Sequence, residues 1–320
     1  MSPNMNLTTM NETIESSSCV DATATKIGQT IALSLILPVS LVGNSLVVLI
    51  VYKTPTLRKP INYFIANMAI SDLLYPIFWI PLYLSSLLTS WRIDGQLGQA
   101  LCKLAPFFGD ISFVVSIQNL VLIAVDRFGA VVFPLRSPFI GSKLCPFFIS
   151  AMWIVAGAVS SPNLFTFQLV EFSGEIQCGR RWKKAFGESS SFTDFLLPYC
   201  VLLIFIPVML LVILYSIILA KLKTQAHPGQ SVNTQQRRER QNRNVLQMSI
   251  AIVLVFVSCW LPFYTNLFVI EYSSVQSCAF LLYFDVAVVM TVAYCAINPI
   301  TCFIFSTNYR QGLKRLMNCS

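Results

Sequence analysis

Seven runs of apolar residues, roughly 27–52, 61–88, 99–133, 144–166, 193–222, 244–270 and 278–305, are each long enough to cross a bilayer as a helix. No other feature of the sequence constrains the fold as tightly. Lipid offers the backbone no hydrogen-bond partners, so each run must satisfy its own N–H and C=O groups by forming a helix. The expected fold class is therefore an all-α membrane protein, a seven-transmembrane helix bundle. With 55% hydrophobic and 11% charged residues over 320 positions, the chain is too apolar for a soluble globular domain. The net charge of +8 comes from bases spread between the apolar spans, not gathered in one exposed domain, which argues against nucleic acid as a partner.

The distribution of charge sets an orientation. One set of connections gathers Lys53, Arg58, Lys59, Arg136, Lys143, Lys221, Lys223, Arg237, Arg238, Arg240, Arg243, Arg310, Lys314 and Arg315 against Glu239, which marks it as cytoplasmic. An odd number of spans then puts the N-terminus outside and the C-terminus inside. Residues 1–26 fit an extracellular tail: they lack a hydrophobic signal core and carry glycosylation sequons at Asn6 and Asn11. Residues 27–305 form the membrane domain. Residues 306–320 hold a short amphipathic eighth helix over 308–317, with basic groups between its apolar side chains, and a short cytoplasmic tail. Its place is along the inner leaflet, and Cys319 beside it is a candidate for palmitoylation.

Other membrane functions find little support. The spans do not divide into similar halves and lack matched glycine-broken segments, unlike an inverted-repeat transporter. No filter sequence suggests a channel, and no cluster of His, Asp or Ser near one face suggests an enzyme. The ten cysteines form no Cys-x-x-Cys pair, and the single His227 lies in a polar loop, so a zinc site is not expected. Between the fourth and fifth spans, Leu169 to Cys178 alternates apolar and polar residues around Ser173-Gly174, the pattern of a β-hairpin in the second extracellular loop.

Two charged positions stand out within the spans. Asp126 and Arg127 close the third apolar run, either as side chains snorkelling to the headgroups or as an ion pair that latches one conformation. Asp72 lies deep in the second run, where a carboxylate costs roughly 2.5–3.5 kcal/mol on insertion scales, so it should face the bundle interior and find partners.

Taken together, Gly43-Asn44-Ser45-Leu46-Val47, Asn67-Met68-Ala69-Ile70-Ser71-Asp72-Leu73, Asp126-Arg127-Phe128, Trp153, Pro207 with Tyr215, Cys259-Trp260-Leu261-Pro262 and Asn298-Pro299 resemble, span by span, the motifs of the rhodopsin-like (class A) G-protein-coupled receptors. The resemblance runs from about Ile27 to Met317 and implies a receptor rather than an enzyme. It implies a disulfide between Cys102 and Cys178, and some peptide receptors suggest a second bridge, here Cys19 to Cys278. It implies an allosteric sodium ion among Asp72, Ser116 and Asn298, although Tyr294 and Cys295 stand where members more often carry Asn or Ser. Ile117, Pro207 and Phe256 match the family's packing connector, while Pro207 and Pro262 mark where the fifth and sixth helices can pivot.

For the ligand, a retinal pigment is disfavoured because 280–305 holds no lysine. The position where amine receptors carry an aspartate is Gly109, and Asp110, one residue on, is turned about 100° around the helix. Cys178-Gly179-Arg180-Arg181-Trp182 resembles the Cys-x-x-x-Trp of neuropeptide receptors, and Glu271 matches an acidic position that pairs with arginine in neuropeptide Y and RFamide-type ligands. The expected ligand is a neuropeptide, basic and C-terminally amidated, facing Asp110, Glu271, Asp285 and Asp194 above Trp260. The alternatives are a biogenic amine or other small molecule, or an atypical receptor that does not couple. The expected mechanism is outward movement of the sixth helix, which frees Arg127, with Asp126, Tyr215, Asn298 and Pro299, for a heterotrimeric G protein. Three departures from the pattern concern the inner end: Phe128 replaces a tyrosine, Asn242 stands where many members carry an acid, and Cys302 replaces the tyrosine that follows Asn298-Pro299. Restoring that residue with Cys302→Tyr is expected to strengthen signalling.

Overall fold

The computed structural model describes residues 22–88, 95–133, 140–172, 175–225, 233–272 and 278–318, without the side chains of Ala22, Phe172, Glu175, 223–225, 233–245, Cys278 and Leu281. Asn6, Asn11, Cys19 and Cys319 lie outside the described residues, as do the Ser173-Gly174 turn and the side chains of Glu239 and Asn242.

Each apolar run is a helix: α1 (Ala22–Lys53), α2 (Pro60–Leu88), α3 (Gly95–Val132), α4 (Cys145–Thr166), α5 (Phe192–Leu222), α6 (Asn233–Tyr272) and α7 (Cys278–Phe305). All seven are long and apolar enough to cross a membrane, and the chain is a multi-pass membrane protein. The largest difference from the expected bounds is in α6, which begins eleven residues before position 244. Those residues are polar and basic, and a helix that leaves the bilayer no longer needs apolar side chains. Pro60 opens α2 in the first turn, where its missing N–H would have had no partner anyway.

The helices are not equally enclosed. In its most apolar window α3 is 67% buried, against 22% for α4 and for α5, which makes α3 the central column of the bundle. Side chains such as Ile154, Leu202 and Phe205 are exposed on the protein but face a region where lipid is as apolar as they are. Packing, not water exclusion, must then hold the helices together, and small residues let backbones approach. A Cβ on Gly43 of α1 would lie 2.7 Å from Pro299 Cγ of α7.

A short helix α8 (Thr307–Asn318) follows α7, as the amphipathic pattern predicts. Tyr309 and Gly312 are buried against the bundle, while Arg310, Lys314 and Arg315 are exposed. Arg310 turns back to donate to the carbonyls of Phe303 (3.2 Å) and Ile304 (2.5 Å), capping the negative end of α7 with a cation. A Cβ on Gly312 would meet Ile50 Cγ2 at 2.5 Å. Gly312→Ala is therefore expected to destabilise the receptor by about 1–3 kcal/mol, as overpacking does elsewhere. Thermal unfolding of the purified protein in detergent measures this, and an unchanged midpoint would mean that α8 sits less tightly on α1.

The hairpin is present, and longer than expected: β1 (Phe167–Phe172) pairs antiparallel with β2 (Glu175–Arg180), with Leu169 opposite Cys178. Two ties hold it over α3. Cys178 is disulfide-bonded to Cys102, with Cα atoms 5.5 Å apart, and Gln99 accepts from Leu169 N at 3.1 Å while donating to Phe167 O at 3.4 Å.

Proline loosens two helices in ways that the apolar pattern does not reveal. In α2 a wide π-helical turn, Tyr75–Trp79, contains Pro76; in α5 another, Val201–Phe205, lies directly ahead of Pro207. Such turns relieve a lost i to i−4 hydrogen bond by taking in one extra residue.

Candidate functional site

Beneath the hairpin, a cavity of about 750 Å³ opens between α2, α3, α5 and α6. Gly109, Asp110 and Trp260 lie on its wall. A Cβ on Gly109 would stand 3.4 Å from the Tyr75 ring, so α3 and α2 are in contact at the position where a carboxylate would receive an amine. The neighbouring Asp110 is already engaged: Tyr199 Oη donates to its Oδ1 at 2.5 Å and Asn163 Nδ2 to its Oδ2 at 3.3 Å. Tyr199 also meets Tyr264 Oη at 3.2 Å, so the carboxyl group joins α3, α4, α5 and α6 into one polar knot.

The other three acids are placed differently. Glu271 is exposed and lines a shallower groove beside the cavity, with Arg180, Trp182 and Phe192. Asp194 is exposed in the first turn of α5, where the helix dipole favours an acid and Ser191 caps the chain. Asp285 acts electrostatically on Tyr83 of α2 and, like Asp194, is not on the cavity wall.

The floor is aromatic. Phe113 of α3 lies 4.7 Å from Trp260, 4.9 Å from Tyr264 and 5.5 Å from Phe256, between ring centroids. Offset and edge-on pairs of this kind contribute roughly 0.5–1.5 kcal/mol each beyond their buried area. Phe256 in turn meets Tyr294 edge-on at 5.3 Å, which links the floor to the interior of the bundle. Ile117 and Phe256 are fully buried beneath Phe113, and Pro207 is half-buried just beyond the α5 π-turn. Phe113 precedes Ile117 by one helical turn, and that i, i+4 spacing was the signal available in the sequence.

Arg180, at the end of β2, carries the least expected geometry. Its guanidinium lies 3.9 Å above the ring of Phe192 and 5.0 Å above that of Phe167, and it lines both the cavity and the groove. Its Nε has no hydrogen-bond partner among the described residues. Burial pulls its pKa below the usual guanidinium value, while the charges of Glu271 and, less strongly, Asp110 act in the opposite sense. The sequence pattern gave Arg180 only as a base next to the disulfide.

Farther along the bundle, Asp72 has the interior position its charge requires. Ser116 Oγ donates to its Oδ1 at 3.0 Å and Asn298 Nδ2 to its Oδ2 at 2.7 Å, joining α2, α3 and α7. Asn44 of α1 donates to Cys295 O at 2.8 Å. Tyr294 Oη, nearby, donates to Met68 Sδ at 3.6 Å. A second polar tie joins α2 to its other neighbours: Trp153 Nε1 donates to Asn67 Oδ1 at 2.9 Å, and Asn67 Nδ2 to Asn119 at 3.2 Å.

At the end opposite the hairpin, Arg127 Nε donates to Asp126 Oδ2 at 3.1 Å, and a second guanidinium nitrogen closes the ion pair. Asp126 is buried and Arg127 only 16% exposed, too enclosed for side chains that simply snorkel to headgroups. Tyr215 of α5 is buried with Ser249 and the Arg127 charge as polar neighbours. Cys302 is also buried, and Tyr309 of α8 packs in the same apolar core while its hydroxyl meets Asn62 Oδ1 at 3.2 Å.

This arrangement, a capped cavity joined by an aromatic floor and a buried polar core to a shielded ion pair, has named counterparts. Residues 43–301 match the model of the seven-transmembrane receptors of the rhodopsin family. The chain is 31% identical to a QRFP-like peptide receptor of Branchiostoma floridae, over 88% of this chain and 74% of that one. It is 30% identical to a RYamide receptor of Drosophila melanogaster, over 87% of this chain and 61% of the relative, and 30% identical to neuropeptide FF receptor 1 of Rattus norvegicus, over 88% and 68%. The chain belongs to the rhodopsin family of seven-transmembrane receptors.

Proposed function

We propose that this receptor sits in the plasma membrane with its N-terminus outside, binds a neuropeptide beneath the hairpin and activates a heterotrimeric G protein at the Arg127 end. The observation that carries this reading is the shape of the site. A deep aromatic cavity continues past Arg180 and Phe192, which line both spaces, into the groove that holds Glu271. An elongated ligand can fill both, whereas an amine would leave the groove empty. The names of the relatives, receptors for QRFP-like peptides, RYamide and neuropeptide FF, support the same class.

A ligand in the cavity presses on Trp260 and Tyr264, which pack on Phe113. Phe256 passes the displacement to the level of Ile117 and Pro207, where the π-turn and the proline leave α5 deformable. The binding energy selects a population in which α6 stands outward and Arg127 exchanges Asp126 for Tyr215 and a G-protein backbone. Exposed Arg310, Lys314 and Arg315 on α8 face anionic lipid.

A sodium ion fits the polar core. Hard cations take oxygen donors, and Asp72 and Ser116 supply them, while the buried Oδ1 atoms of Asn298 and Asn44 have no hydrogen-bond partner among the described residues. Asp72, Ser116 and Asn298 would hold the ion, whose charge would offset that of Asp72 and favour the inactive packing. Asp72→Asn is then expected to abolish any weakening of agonist binding by sodium. Agonist competition curves in sodium and in N-methylglucamine chloride measure this, and a sodium effect that survives the substitution would exclude the site.

The central test is a cell assay that records G-protein dissociation upon exposure to a peptide library, with Glu271→Ala run in parallel. A responding peptide whose potency falls in the variant supports the reading. Response only to small amines, or surface binding of a peptide without dissociation, would replace it with the amine receptor or the uncoupled receptor.

A further inference from the structure

We propose that Arg180 is a built-in competitor for the cationic group of the ligand, and that its charge sets how strongly the site prefers a basic peptide. The inference rests on the peptide reading above and deepens it.

A partly buried guanidinium normally has a carboxylate or a set of carbonyls at its donors, because desolvating it otherwise costs free energy. Arg180 has neither. No ion pair joins it to an acid among the described residues, its Nε is buried without a partner, and two aromatic faces, Phe192 and Phe167, hold its plane. Aromatic faces attract cations without fixing their orientation, so the side chain is held in place yet free to be displaced. The acids acting on it are Glu271 and Asp110, the two that a basic ligand residue would use.

Phe167 and Phe192 thus make a guanidinium site that is filled from within the chain. A cationic ligand residue approaching Glu271 meets the like charge of Arg180 in the same groove and must push that side chain aside or accept the repulsion. Like charges placed together at an interface are a strong negative selector, so the receptor tolerates one arginine on its ligand only where that ligand also pays in contact area. Removing the charge of Arg180 leaves both the acids and the aromatic cradle to the ligand.

The test uses full-length receptor on cells, a fluorescent hexapeptide amide with one arginine next to its last residue, and the same peptide with neutral, isosteric citrulline there. Affinities are compared at equal surface expression for the unaltered receptor, Arg180→Gln, Arg180→Lys and Glu271→Gln. Arg180→Gln is expected to tighten the arginine peptide about tenfold while moving the citrulline peptide less than about twofold. Arg180→Lys keeps the charge and should keep the original ratio. Where Arg180→Gln does not reach the surface, Arg180→Met retains the apolar stem over Phe192 and carries the same expectation. Unchanged, weakened or undetectable binding of the arginine peptide to the charge-free variants overturns the proposal. An equal loss for both peptides would instead make Arg180 a direct donor to the ligand. Glu271→Gln tests the underlying reading separately: if it leaves the preference for arginine over citrulline intact, the cationic-ligand assignment fails whatever Arg180→Gln does.

Discussion

Arg127→Ala is expected to reduce agonist-driven G-protein dissociation by at least about a hundredfold while changing peptide affinity by less than about threefold, and Asp126→Asn to raise ligand-free dissociation about tenfold. Both follow from one ion pair. The carboxylate of Asp126 occupies guanidinium donors of Arg127, and the two residues are adjacent on α3. Such a pair cannot clamp α6 directly. It acts by keeping the arginine occupied, so its loss frees donors without breaking the bundle. A tenfold rise in basal signal corresponds to about 1.4 kcal/mol of lost preference for the occupied state, a modest fraction of what a partly buried pair can supply. Dissociation measured at matched surface expression decides the point, and a silent Asp126→Asn would show that the inactive state is held elsewhere.

Asp110→Ala should be the most damaging change in the cavity wall, and for two separable reasons. It removes the shared acceptor of Tyr199 and Asn163, leaving the buried Tyr199 with only Tyr264 and costing up to about 1–3 kcal/mol. It also removes an acid from the neighbourhood of Arg180. Asp110→Asn divides these effects, because an amide oxygen still accepts from Tyr199 but carries no charge. The expected pattern is a lowered unfolding midpoint for Asp110→Ala that Asp110→Asn largely restores, with the potency of basic peptides reduced in both. Full recovery of potency in Asp110→Asn would make this residue a structural knot and leave Glu271 as the ligand's acid.

Apolar length and charge asymmetry made the helices legible, since the bilayer leaves the backbone one solution for each run. The hairpin was legible from its alternation and turn residues. Asp72 was legible because a deep acid must find partners, and Ser116 and Asn298 are those partners. What stayed hidden depends on which side chains meet across helices. Nothing in the spacing around Tyr199 says that it reaches Asp110, and nothing in Arg180 says that it folds back over Phe192. The basic residues Arg237, Arg238, Arg240 and Arg243 read as a continuation of the sixth span, but the start of α6 at Asn233 was not legible because a search for apolar runs stops where the membrane does.

Cys302 shows a subtler limit. As a departure from the family pattern it reads as a missing tyrosine, to be restored for stronger signalling. The structure packs Cys302, buried, with Tyr309 in the same core. A tyrosine at 302 must therefore overcome overpacking of about 1–3 kcal/mol before its hydroxyl can help.

The π-turn at Tyr75–Trp79 shifts register against any receptor whose second helix is uninterrupted. One extra residue in a turn rotates everything beyond it by about 100° relative to an uninterrupted helix. Positions on α2 beyond Trp79, including the cavity-facing Leu82 and Tyr83, therefore correspond to those of a receptor without the turn by location in space and not by counting along the chain. The same holds for α5 across Val201–Phe205, where Tyr199 lies on one side and Pro207 on the other. An alignment without gaps through these helices would pair the wrong side chains at the ligand while still matching every motif at the opposite end.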